Sequence, residues 1–311
     1  MNKIKRFLAE LIFAPSGTAL LVFASMLLLC VFNFINSALL FANNAFVLLM
    51  IPISFVVPYC LFAASRGGKE YVPTLNLALP RKYHILTILL SALLLICGST
   101  LLKFVFVSGK YTEFSLYGAF FAHRDGSLWC DLYLLLVFCL VPPVLEGVIF
   151  RGVLLKEHDK RGRLTAVIFT SLFYALLGFD AEHLAWRFFF SALLSIVIYA
   201  TDSLAISVAL HIIYNLYATF LEPTFISVKN VSSNAELFVY FLVIATLVLA
   251  ILLFSQLARL YKRYSHTRFG ESFTKSTPRA KTFWHLVELL SSLPALLCYA
   301  LFIVVTLILS I

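Results

Sequence analysis

The stretch Leu140-Val141-Pro142-Pro143-Val144-Leu145-Glu146-Gly147-Val148-Ile149-Phe150-Arg151-Gly152 places a carboxylate and a guanidinium inside an apolar run long enough to cross a bilayer. A charged side chain at membrane depth costs a few kcal/mol or more on insertion scales. Such a residue normally faces protein and has a task. A second apolar run, Ser203-Leu204-Ala205-Ile206-Ser207-Val208-Ala209-Leu210-His211-Ile212-Ile213-Tyr214-Asn215, carries an imidazole and an amide. His211 and Asn215 are four apart, so on a helix they share a face. Two such runs predict packed membrane helices around a shared polar interior.

Working outward, the chain of 311 residues is 62% hydrophobic and 13% charged. A soluble domain carries about 25% charged residues, so the water-soluble classes are excluded. The predicted fold is all-α, a polytopic membrane helical bundle of about eight or nine transmembrane helices. The net charge of +9 would suggest nucleic acid in a soluble protein. Basic loops facing anionic lipid give the same sum, and no nucleic acid is expected as a partner. The six cysteines, Cys30, Cys60, Cys97, Cys130, Cys139 and Cys298, lie in or beside apolar runs without CxxC spacing. They read as small buried hydrophobes. Leu29 before Cys30 is too bulky for a lipoprotein cleavage box, so the first apolar run reads as a retained anchor.

A helix needs about 20 apolar residues to span a bilayer. Nine segments approach that length, at about 17–36, 44–65, 84–107, 130–155, 164–179, 185–201, 203–220, 237–258 and 284–310. With the N-terminus inside, 18 of the 24 Lys and Arg fall in cytoplasmic segments. Only Lys110, Arg124 and Lys229 fall outside, and Lys103, Arg151 and Arg187 lie within helices. The positive-inside rule then favours a cytoplasmic N-terminus, and the expected location is the bacterial cytoplasmic membrane. Three parts follow: helices one to three over 1–128, a core over 129–220, and C-terminal helices over 221–311 with a basic cytoplasmic loop at 259–283. That loop is expected to lie against anionic lipid. Asn230-Val231-Ser232 matches a glycosylation acceptor in an outward loop.

Pro142 and Pro143 should loosen the helix just before Glu146 and free backbone carbonyls there. Arg151 lies five residues on, about 140° around an ideal α-helix. It is expected off the Glu146 face, and near enough to the cytoplasmic end to snorkel. Glu146 and His211 should meet at middle depth.

Pro143-x-x-Glu146-x-x-x-Phe150-Arg151-Gly152, followed by His211-x-x-x-Asn215 after Ser203-Leu204, resembles the CPBP family. This family holds type II CAAX prenyl proteases and lysostaphin-resistance-protein-A-like (Abi) membrane proteins. The resemblance covers about residues 129–220. It implies a first motif of two glutamates, three residues and an arginine, matched by Glu146 and Arg151 with Gly147 at the second glutamate. It implies a second motif of an aromatic, three residues and a histidine, matched at Tyr174 with Gly178 at the histidine. The third motif is matched by His211 and Asn215. The resemblance implies an intramembrane protease in which the first glutamate activates water, aided by two histidines and a metal. The catalytic set carried over is Glu146, Arg151, His211 and Asn215.

A catalytic zinc site usually has three protein ligands, and Glu146, His211 and Asn215 are a poor set. Phe179-Asp180-Ala181-Glu182-His183 also fits the second motif, which would make His211 and His183 the metal-binding histidines. His183 sits about 7.5 Å further along a continued helix, so an outer turn with Asp180 and Glu182 is the plainer expectation. Three functions compete. The first is a degenerate member with no cofactor, scaffolding or regulating another membrane or cell-envelope protein. The second is an active metalloendopeptidase using Glu146, His211, His183 and Zn2+. The third is a small-molecule transporter built on broken helices, for which no repeated pair of interrupted helices is visible.

Overall fold

The computed structural model describes residues 17–38, 44–66, 82–107, 126–159, 161–223, 235–264 and 279–310. The glycosylation match at Asn230, the basic residues before position 17 and most of the 259–283 loop lie outside them. Among the described residues there is no strand. The helices are α1 (Gly17–Ala38), α2 (Asn44–Ser65), α3 (Ile85–Phe106), α4 (Leu128–Asp159), α5 (Arg163–Leu176), α6 (Leu184–Thr201), α7 (Leu204–Leu221), α8 (Ala235–Tyr264), α9 (Arg279–Leu290) and α10 (Leu293–Ser310).

Seven of these are long and apolar enough to cross a membrane, and there are eight if the bent pair α9–α10 counts as one span. The protein is therefore an integral membrane, all-α bundle. The ninth expected segment is broken rather than straight, bent by 59° between α9 and α10. Pro294 has no N–H to offer the preceding turn. The hydroxyls of Ser291 and Ser292 donate to the carbonyls of Val287 and Leu289 at 2.8 and 2.7 Å, which ends α9 cleanly. The fifth expected segment is shorter than its apolar run. α5 has 14 residues, about 21 Å of helix, less than the hydrocarbon thickness of about 30 Å. A turn over residues 177–183 follows, and its Leu177, Gly178 and Phe179 border the site.

α4 is continuous over 32 residues, but its hydrogen-bond register is not. It passes from α to π over Leu135–Leu140, returns to α over Val141–Glu146, and is π again over Gly147–Leu154. Short π stretches are a common feature of functional sites. Here the cause is local. Pro142 and Pro143 supply no N–H to the turn behind them.

α4 sits against α2, α5 and α7. α6 packs on α5 and α3, and α3 also carries α8. α1 packs between α2 and α10. The hairpin from α6 to α7 is two residues long. Asp202 takes the left-handed conformation (φ 51°), and the Ser203 hydroxyl accepts the Ile206 N–H at 3.3 Å to start α7. Polar ties fasten the other elements to one end of α4. The Thr18 hydroxyl meets His158 Nε2 at 2.8 Å, Arg66 donates to Glu157 at 3.2 Å, and Arg161 donates to Glu288 at 3.3 Å. By contrast α8 shows Leu237, Phe241, Ile244 and Ile251 to the outside, as a helix against acyl chains should. The six cysteines are free, with Cys139 and Cys298 buried and Cys60 exposed.

Candidate functional site

The prolines come first, because they create an orphan. In an α-helix the Phe138 carbonyl would accept from residue 142, and in a π turn from residue 143. Both are proline. Asn215 repairs the defect from the neighbouring helix. Its Nδ2 donates to the Phe138 carbonyl at 2.8 Å. An unsatisfied carbonyl at membrane depth costs several kcal/mol, so Asn215 holds α7 against α4 at this level. One turn earlier on the same face, His211 Nε2 stands 3.7 Å from Glu146 Oε2. His211 is 3% exposed and Glu146 14%. The two runs of sequence thus bring Glu146 and His211 together.

Arg151 departs from expectation. It is 1% exposed, so it does not snorkel. Its guanidinium lies over the Tyr174 ring, 4.7 Å from the centroid, within electrostatic reach of Glu146. The 140° separation assumed an ideal α-helix. In the π stretch Gly147–Leu154 the backbone repeats at i to i+5, which brings position 151 back towards position 146.

Gly147 marks a close helix crossing. A Cβ there would stand 2.7 Å from Val208 Cγ2, so α7 fills the place where a second glutamate would begin. Gly178 is filled differently. A Cβ there would strike the Arg187 guanidinium, with Nε 2.6 Å away. The sequence placed Arg187 in a membrane helix but gave it no role. The available signal was a cation on an otherwise apolar helix, nine residues after a glycine.

These groups border a cavity of about 90 Å3, room for several waters. Glu146, Pro142 and Phe138 come from α4, Asn215 and Tyr214 from α7, Trp186 and Arg187 from α6, and Tyr174 from α5. Gly178 and Phe179 of the turn close one side, and Leu29, Asn33, Ile51 and Phe55 of α1 and α2 close another. Phe179 holds φ at 50°, unusual for a bulky residue, and its carbonyl accepts from Thr306 of α10 at 3.3 Å. Behind Trp186 and Tyr214 lies a buried ion pair, Lys103 with Glu222 at 2.6 Å. The Lys103 ammonium lies 4.4 Å from the Trp186 ring centroid.

His183 lies in the turn after α5 with Asp180 and Glu182, and is itself buried although Ala181 and Glu182 are exposed. His183 is 6% exposed. Its Nδ1 meets Asp180 Oδ2 at 2.6 Å. Burial pushes the Asp180 carboxyl up, but the hydrogen bond and charge of His183, the Glu182 N–H and Arg187 together hold it below its ordinary range. His183 is not among the residues that border the cavity.

The donor set does not fit a zinc ion. Among the described residues no three His, Cys, Asp or Glu side chains converge. A guanidinium stands over Gly178. No step below is routed through a metal.

The fold and the site together define an integral membrane helical bundle with a protease-like polar core. Residues 127–217 match the family described as type II CAAX prenyl endopeptidase Rce1-like. That match spans α4 to α7, the same segment whose motifs resemble the CPBP/CAAX protease family. No curated protein and no solved structure was found to match.

Proposed function

We propose that this CAAX-protease-like membrane protein does not cut peptides and acts as a membrane scaffold or regulator of a partner. The partner is another membrane or cell-envelope protein. The observation that carries this reading is the Arg187 guanidinium over Gly178, in the space the family motif gives to a histidine. A base alone does not suffice for hydrolysis. The attacking water also needs groups that stabilise the developing oxyanion, and a guanidinium stands where the motif has its second imidazole. What Asn215 supports instead is adhesion, since it binds one helix to another through the Phe138 carbonyl. The basic asymmetry of the sequence favours a cytoplasmic N-terminus in a bacterial cytoplasmic membrane, with lipid as the other partner and no nucleic acid.

The test is cross-linking with mass spectrometry in native membranes, paired with a cleavage assay on the purified protein. Recovery of one protein that falls with Asn215→Ala, together with no cleavage of membrane-proximal peptides, supports the scaffold. Cleavage abolished by Glu146→Gln would refute it.

One observation favours the second reading, an active endopeptidase. Glu146, 3.7 Å from His211, borders a cavity roomy enough for water. In that reading Glu146 is the base and His211 polarises the carbonyl or the water. Cleavage that needs both Glu146 and His211 would establish it.

A further inference from the structure

We propose that Arg187 is the resident cation of this cavity, standing beside Glu146 in the volume opened by Gly178 and holding that volume against a divalent metal ion. The inference deepens the non-hydrolytic reading and rests on it, but concerns what the cavity binds rather than which partner the protein meets.

Three observations converge. The first is volume. Any side chain at position 178 must displace the Arg187 guanidinium. The glycine and the arginine are therefore two halves of one arrangement. The second is placement. Arg187 and Glu146 border the same cavity and interact electrostatically. The third is fixation. The guanidinium carbon lies 5.3 Å from the Trp186 ring centroid, and Arg187 Nε is buried. The Asp180 carboxylate of the turn feels the same charge.

A guanidinium is charged at every accessible pH and donates without accepting. It cannot ligate a metal. In a site of low dielectric it repels a second cation far more strongly than in water. It also supplies what a metal would supply electrostatically, a fixed positive charge facing Glu146. The chain thus keeps a charge-balanced cavity while losing an exchangeable ion. A histidine at position 178 would have to displace the guanidinium tip, so a metal site is expected only when Arg187 is replaced as well.

The experiment uses the full-length protein purified in detergent. Cobalt(II) and zinc binding are followed by visible absorption and by metal-dependent thermal unfolding. The wild type is expected to show neither tetrahedral cobalt bands nor a zinc-induced rise in Tm. Gly178→His combined with Arg187→Ala is expected to bind one equivalent at least about tenfold more tightly than the wild type, a difference of about 1.4 kcal/mol. Glu146→Gln in that background should remove the binding. Metal binding by the wild type that depends on Glu146 overturns the proposal. So does a folded double variant with no gain. A gentler cycle covers the case in which that variant does not fold. Gly178→Ala should lower Tm in the wild type and not in an Arg187→Ala background. Equal losses in both backgrounds would show that the guanidinium does not occupy this space. Metal binding is scored without any partner or substrate, so its failure is separable from failure of the scaffold reading.

Discussion

Asn215 Nδ2 donates to the Phe138 carbonyl at 2.8 Å, and that carbonyl has lost both of its in-helix donors to Pro142 and Pro143. The bond explains why an amide is placed one turn beyond His211. It also makes a prediction. Asn215→Ala should cost about 1–2 kcal/mol, the loss of one hydrogen bond with its acceptor left buried. Pro142→Ala returns an N–H at the i+4 position. The double variant should therefore recover most of what Asn215→Ala loses, read as Tm in detergent. Losses that simply add would mean the carbonyl is not what Asn215 serves.

A second prediction concerns the far side of Trp186. Lys103 and Glu222 are an ion pair at 2.6 Å with side chains 10% and 3% exposed. Removing one partner leaves a buried charge alone, which costs about 3–5 kcal/mol. Lys103→Met should therefore be severe. Lys103→Met with Glu222→Leu should be far milder, because two apolar groups replace two charges. The measurement is the yield of monodisperse protein and its Tm for the three variants. A double variant as poor as Lys103→Met would show that the pair matters for more than its charge balance.

The docking of α1 gives a third. The Thr18 hydroxyl meets His158 Nε2 at 2.8 Å where both residues are fully buried. Thr18→Val keeps the shape and removes the hydroxyl. It should cost about 1–3 kcal/mol, the penalty for leaving a buried polar group unmatched. Thr18→Ser should restore most of it. Limited proteolysis near the end of α4 should speed up for Val and not for Ser. Equal rates would detach this contact from the anchoring of α1.

Much of this was legible in the sequence, for physical reasons. The apolar runs are long and the lipid tolerates no unpaired backbone, so helix positions follow from hydropathy. Glu146, His211 and Asn215 announce themselves because intramembrane polar groups are rarely idle. The sequence misleads where geometry departs from the ideal α-helix. Arg151 is assigned to the wrong face because the π stretch is invisible in residue types. α5 is drawn too long because Leu177 and Phe179 are as apolar as helix residues, though they belong to the turn. Arg187 carries no role in the sequence because its partner is empty space over a glycine, and a one-dimensional pattern does not record volume.

Gly147 gives the last prediction, and it bears on why the chain differs from the motif it resembles. A Cβ at this position would stand 2.7 Å from Val208 Cγ2, closer than packed carbons approach. Gly147→Ala should cost about 1–3 kcal/mol by overpacking. Val208→Ala should absorb most of that loss, since the colliding atom is the end of a valine. Gly147→Glu, which recreates the paired glutamates of the family motif, should be worse than Gly147→Ala. It adds a charge between α4 and α7, and Arg151 is the cation within electrostatic reach of the neighbouring Glu146. If Gly147→Glu proves as stable as the wild type, α7 is free to shift, and Val208 does not bar the second glutamate. If it is rescued only together with Val208→Ala, loss of the second glutamate and closure of α7 on α4 are one structural change.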